Sequence, residues 1–361
     1  MTGLLALVLA SGAGVSPQLP PVPVKLWNVA WQRKLVEPRP LEWKARELGG
    51  PAVDPVTGFV VVGTRDGVLH AYDPDGAFVW SYRAGARFDA APRIQDGIVY
   101  AGCDDGKLYV FDLASGKLRW KYDAQEEVGT TPIVVGDLVL FMTLQDTLVA
   151  VDAKTGAWKW HHRREMREGF TLYGAAAVLA SGGLAFGAYS DGTVTALDVL
   201  TGTVRWERKI APAGDFMDVD STRIQFGRLY AAAYSGAVYA LDPETGRQRW
   251  ELKTHQPYRL ATGAGVLIGV STTQVLGISP QDGKLRWSLP LGGVPWGDPV
   301  LAGGLALVPN TKALLWIDPV GGRVVRSFDP GTGVSAAPAR VGHRVYVLSN
   351  VGDLIALDLL P

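Results

Sequence analysis

Asp218-Val219-Asp220 sets two carboxylates one residue apart within GDFMDVDSTR, a stretch with no helical period and little strand alternation. Carboxylates so placed could hold a hard cation, work as general acid and base, or accept turn N–H groups. A cation site needs several converging oxygens, whereas alternating residues of an extended segment point to opposite sides. Glycoside hydrolysis needs a defined separation across a sugar-sized cleft, which spacing along the chain does not supply. His161-His162 follows Trp160 without further convergent ligands and reads as a polar surface pair. No G-x-S-x-G nucleophile elbow occurs, and ATGAGVLIG lacks the Lys-Ser/Thr ending of a phosphate loop. No catalytic residue and no metal-ligand set is expected.

The elements that must carry these residues follow from composition. The chain has 361 residues, 47% of them hydrophobic, enough to bury a large core. Lys+Arg and Asp+Glu balance at 35 each, so no overall field draws the chain onto nucleic acid or anionic lipid. Glycine numbers 44 and long amphipathic stretches are absent, which points to short strands joined by tight turns, an all-β chain.

Residues 1–25, MTGLLALVLASGAGVSPQLPPVPVK, join an apolar run from Leu4 to Ala10 to small residues and a Pro-rich stretch. This reads as an export signal followed by a tether, although no Lys or Arg precedes the short apolar run. No later run is long enough to span a bilayer. Cys103 is the sole cysteine, so no intrachain disulfide is possible.

The remainder, 26–361, is organised by a repeat. FDLASGKLRW ends at Trp120, VDAKTGAWKW at Trp160, LDVLTGTVRW at Trp206 and LDPETGRQRW at Trp250. YDPDGAFVW, ending at Trp80, is one residue shorter; ISPQDGKLRW, ending at Trp287, has Ser279 for the Asp; IDPVGGRVVRSF is expected to end its copy at Phe328. An eighth copy stops at Asp358 without its last strand, and LWNVAWQRKLV from Leu26 is an unpaired strand that can supply it. A period near 40 residues predicts one four-stranded antiparallel sheet per copy and a single eight-bladed β-propeller, its ring closed by the amino-terminal strand. In the second copy AAPRIQDG holds the inner strand, IVYAGCDDG the second, KLYVFD the third and KLRW the outer one. The Asp caps the turn, the Gly takes positive φ, and the Trp packs at the seam between blades with its N–H on one partner.

Two connections depart from the repeat. Twelve residues separate Trp80 from Pro92 and Trp120 from Pro132, but seventeen separate Trp160 from Ala177 and Trp206 from Arg223. All outer-to-inner connections of a propeller leave by one face, so these two are neighbours on one rim. They carry Phe170, Leu172 and Tyr173 in one, and Phe216 and Met217 beside Asp218 and Asp220 in the other. Apolar anchors ringed by charge suit a protein contact; the alternative is that the apolar groups fold inward and the carboxylates cap turns.

The repeat resembles the tryptophan-docking propellers of the pyrroloquinoline quinone type. Quinoprotein dehydrogenases of that type hold a quinone in the channel with calcium, a catalytic Asp and, in many members, a disulfide of adjacent cysteines. That disulfide cannot form here, no dedicated calcium loop is evident, and no cofactor is expected. The stretch DVDSTRIQFGRLYAAAYSGAVYALDPETGRQRW is similar to the corresponding part of the BamB family of outer-membrane assembly factors, and FTLYG falls where that family has a Leu-Thr-Leu-Arg-Gly loop. The resemblance implies a non-enzymatic periplasmic scaffold of the β-barrel assembly machinery at the inner face of the outer membrane. It implies a monomer docking on the POTRA domains of BamA and assisting nascent outer-membrane proteins. It puts Phe170 and Leu172 at apolar contacts and Asp218 and Asp220 at acidic ones, while Tyr173 replaces the family's Arg and cannot make its salt bridge. The family's lipid-bearing Cys is also missing, Leu9 to Ser11 being followed by Gly12, so a lipid anchor is not expected. The alternatives are an exported propeller binding another protein or a cell-surface polymer, and a quinoprotein dehydrogenase.

Overall fold

The computed structural model describes residues 27–37, 46–164, 176–211 and 217–360. These form eight four-stranded antiparallel sheets, with no helix among the described residues. Seven sheets take four consecutive strands each, spanning 52–83, 93–123, 133–163, 179–209, 219–253, 257–290 and 300–328, here blades one to seven. The eighth joins Ala339–Val341, Arg344–Leu348 and Asp353–Leu359 to Trp27–Lys34, which pairs with Asp353–Leu359 from Trp27↔Leu359 to Lys34↔Asp353. Blade two has the expected strands, Arg93–Gln95, Ile98–Cys103, Lys107–Asp112 and Leu118–Asp123.

The second and third strands of each blade are covered on both faces, which is why they read as continuous apolar runs; all of Leu138–Met142 is buried. Their side chains form eight apolar clusters, one at each seam between adjacent blades, including Val61 and Trp80 with Val99 and Phe111 at the first. Seven of the seams are pinned by a tryptophan. Trp31, Trp80, Trp120, Trp160, Trp206, Trp250 and Trp287 each donate the indole N–H to a carbonyl in the next blade's turn between third and outer strands, an Asp-to-Gly turn in all but blade six, where Ser279 replaces the Asp. Examples are Trp80 to Leu113 at 2.7 Å and Trp31 to Pro74 at 2.9 Å. The turn glycine lies against the ring face: a Cβ on Gly116 would stand 2.5 Å from Trp80. Its positive φ of 67° meets the second demand on that position.

The turn aspartates accept N–H groups as the sequence predicts; Asp112 Oδ1 takes Ser115 N at 3.0 Å. Their second oxygen takes the base that directly precedes the Trp, Arg119 on Asp112 and Arg205 on Asp198 at 2.9 Å each. A bulge at that same basic position in the outer strands of blades two to six turns the following Trp onto the seam.

The seventh blade corrects the expected docking position at Phe328. By register the residue in the tryptophan place is Arg326, opposite Trp316, as Trp250 is opposite Ala240 and Trp287 opposite Gly277. The indole has changed strands: Trp316 fills the room left in the sheet, and Phe328, two residues further on, packs edge-on against Trp27 of the closing strand.

Candidate functional site: the mouth of the ring channel

The inner strands begin around the ring axis, and proline decides where most of them start. Pro51, Pro92, Pro132, Pro299 and Pro338 stand at the entries of blades one, two, three, seven and eight. Lacking an N–H, they stop the ladder from reaching further toward the mouth. Blade five has no entry proline and that of blade six, Pro257, comes three residues earlier in register, and their inner strands, Val219–Gln225 and Pro257–Gly263, are seven residues long where the inner strands of blades two, three, four, seven and eight have three. Here the axis is walled by Asp220, Ser221, Arg223 and Arg259, joined by Trp296 and Asp298 from the connection into blade seven. The facing wall is made of small residues such as Ala90, Gly129 and Ala177, and the space between is about 370 Å³.

Asp218 and Asp220 do not stand out from the rim. They are 3% and 7% exposed, and Met217 and Val219 are buried in the seam between blades four and five. A bulge between Val219 and Ser221 breaks the alternation, leaving Asp220 as the extra residue between the pairs Val219↔Ala233 and Ser221↔Ala232. Asp220 therefore lines the cavity. Burial pushes its carboxyl up to about 8; Arg259 opposes that rise and Asp218 adds to it.

Side-chain bonds stitch three blades together around this point. Ser221 Oγ accepts Leu260 N at 3.1 Å, and Arg259 Nη1 donates to the Asp220 carbonyl at 3.3 Å. Arg259 Nε donates to the Trp296 carbonyl at 2.9 Å, and the Tyr258 hydroxyl to that of Pro295. Asp298 pairs with Arg223 at 2.8 Å and with Arg259 at 3.7 Å. Burial acts to raise Asp298, yet the two guanidiniums hold it below the usual carboxylate range. Across the axis Arg87 joins Asp89 at 2.9 Å and Asp104 at 2.8 Å, and burial raises Asp89 to about 6.

Phe170, Leu172, Tyr173 and Phe216 lie outside the described residues. The strand leading to the first three ends in a fixed root: Arg164 pairs with Asp191 at 2.9 Å and Glu207 at 2.6 Å. His161 is exposed, while His162 meets the Tyr189 hydroxyl at 2.9 Å through Nδ1. Among the described residues no three His, Cys, Asp or Glu side chains group as metal ligands. Asp89 and Asp298 are paired with arginines, which a divalent cation would have to displace, and Asp220 by itself does not supply the several converging oxygens that calcium needs. The residues of the mouth thus do not fit a calcium–quinone centre. Arg223, Arg259 and Asp298 are spread over three repeats, and nothing in their spacing marks them as one cluster.

Eight radial sheets, seams pinned by tryptophan and a ring closed by pairing the first strand with the last define a β-propeller of the pyrroloquinoline-quinone-like repeat class. The family model for the outer membrane protein assembly factor BamB matches residues 24–113 and 95–289, and the chain belongs to that family. BamB of Burkholderia pseudomallei is 27% identical over 158 residues, which is 42% of this chain and 39% of that protein. Quinohemoprotein alcohol dehydrogenase ADH-IIG of Pseudomonas putida is 30% identical over 179 residues, 42% of this chain and 24% of the enzyme. The matches thus span less than half the length of either relative. Among solved structures, BamB from Moraxella catarrhalis superposes with a TM-score of 0.79 at 22% identity, covering 92% of this chain and all of that one. Quinohemoprotein alcohol dehydrogenase from Comamonas testosteroni gives 0.73 at 16%, covering 93% and 77%. Both likenesses are of fold.

Proposed function

We propose that this propeller is a non-enzymatic scaffold of outer-membrane protein assembly, working in the periplasm at the inner face of the outer membrane. Residues 1–25 serve it as export signal and tether, and 26–361 form its one folded domain. The observation that carries the reading is membership of the BamB family together with two enlarged neighbouring connections on one face. The partner is the POTRA region of BamA, met by Phe170, Leu172 and Tyr173 of one connection and by the segment of Asp218 and Asp220 in the other. Because both carboxyls are buried, Asp218 and Asp220 act mainly by shaping the wall of the mouth rather than by direct contact.

The test is a titration of the full chain against the POTRA domains of its own organism's BamA, comparing wild type with Leu172→Ala and Asp218→Ala/Asp220→Ala. Weakened binding by variants that remain folded supports the reading. No binding by wild type removes the assembly role and turns the search to another exported protein or a cell-surface polymer. The likeness to quinohemoprotein dehydrogenases motivates one control: added quinone and calcium with an alcohol and a redox dye should give no dye reduction. Dye reduction would establish an enzyme instead.

A further inference from the structure

Arg259 lies between carboxyls that belong to different blades. Its grip on Asp298 is long at 3.7 Å, and Asp298 has a firmer partner in Arg223 at 2.8 Å. On the other side, the Asp220 carboxyl accepts no hydrogen bond from any described residue, although it is 93% buried and lines the same cavity. Arg259 already touches the Asp220 backbone carbonyl through Nη1. A guanidinium with five donors on a flexible stem can serve either carboxyl from there.

We propose that Arg259 is a proton-controlled latch: while Asp220 is neutral it holds the Trp296 carbonyl and Asp298, and when Asp220 ionises it turns to that carboxylate and frees the connection 291–299. The turned state is accessible because Asp298, half-buried at the mouth, keeps Arg223 and is not left unpaired. The groups that face Asp220 among the described residues are Asp218 and Arg223 on its own segment, Tyr234 of blade five, Tyr258 and Arg259 of blade six, and Asp298. Arg87 and Asp89 lie across the cavity. Burial stabilises the neutral carboxyl most, and Asp218 adds to that. Arg259 is the nearby cation that favours the ionised form, so ionisation and the turn of Arg259 are one event. The latch concerns the isolated chain and does not depend on the docking partner.

Hydrogen–deuterium exchange of 291–299, corrected for the intrinsic pH dependence of exchange, tests this on the full chain. With Asp220 titrating at about 8, its ionised fraction climbs roughly tenfold between pH 7 and pH 9, and exchange of this connection should climb with it. Asp220→Asn should keep the connection protected at both pH values, and Arg259→Lys should leave it open at both. Exchange of wild type that is flat across the range overturns the latch, whichever variants fold. So does an Asp220→Asn protein that opens as wild type does.

Discussion

The indole of Trp27 stacks on that of Trp316, with centroids 4.6 Å apart and planes inclined by 13°. Trp27 belongs to the closing strand and Trp316 to the third strand of blade seven, so the pair bridges the one seam whose outer strand has no docking tryptophan. The seam needs a substitute because blade eight takes its outer strand from Trp27–Lys34, so no Asp-to-Gly turn joins its third strand to its fourth and none is there to receive a docking tryptophan. Trp316→Ala should lower unfolding free energy by ~3–5 kcal/mol, the usual cost of emptying a large buried aromatic site. In a double-mutant cycle with Trp27→Ala, a coupling of about 0.5–1.5 kcal/mol by urea denaturation should report the stack itself.

Gly277 and Gly97 separate two reasons for glycine. A Cβ on Gly277 would lie 2.1 Å from Trp287, whereas one on Gly97 meets nothing within 4 Å but must accept a φ of +70°. Gly277→Ala should cost roughly 1–3 kcal/mol by overpacking and shift the near-ultraviolet tryptophan signal. Gly97→Ala should cost about 1–2 kcal/mol and leave that signal alone.

Trp80→Phe keeps most of the apolar body but leaves the Leu113 carbonyl without its donor at 2.7 Å. A loss of about 1–3 kcal/mol in urea denaturation is expected, more than the missing ring area alone would give.

Two sets of carboxyls give stability opposite slopes with pH. Hydrogen bonds from Arg119 and Ser115 hold Asp112 at about 2, and those from Arg249 and Thr245 hold Asp242 there too. Their folded values lie below the unfolded one, so their contribution is present above about pH 4 and lost as pH falls toward 2. Burial raises Glu47 to about 7 against its bonds to Arg65. That shift favours folding below about pH 4.3 and is lost as pH rises through 7. Between pH 5 and 7, Glu47→Gln should therefore flatten the downward slope of denaturation free energy by about 1 kcal/mol per pH unit. An unchanged slope would assign it to other groups.

Much of this architecture was legible because the repeat states it eight times. Asp, Gly and Trp recur at fixed offsets, and the strand missing after Asp358 could be matched with the spare one at Leu26. The same offset already sets Arg326, four residues after Gly322, in the tryptophan place; that Trp316 fills the room left there shows only when residues are set opposite one another across the sheet. The base before four of the tryptophans, Arg119, Lys159, Arg205 and Arg249 in turn, was a readable signal, and in the fold each pairs with its turn aspartate. The acidic pair was found, but a bulge, which obeys no side-chain period, decided that Asp220 faces the channel. Arg223, Arg259 and Asp298 become one cluster only through the curvature of the ring.

The pairing of Trp27–Lys34 with Asp353–Leu359 also fixes an order of events in folding. Blades one to seven are local in sequence and can each form as the chain appears, whereas the closing strand is made early and its partner last. Until that partner arrives, both edges of the final seam are open for pairing with a neighbouring chain. The moment of greatest risk in this protein's life is thus the interval before ring closure, when a second copy could take the place that its own first strand is waiting to fill.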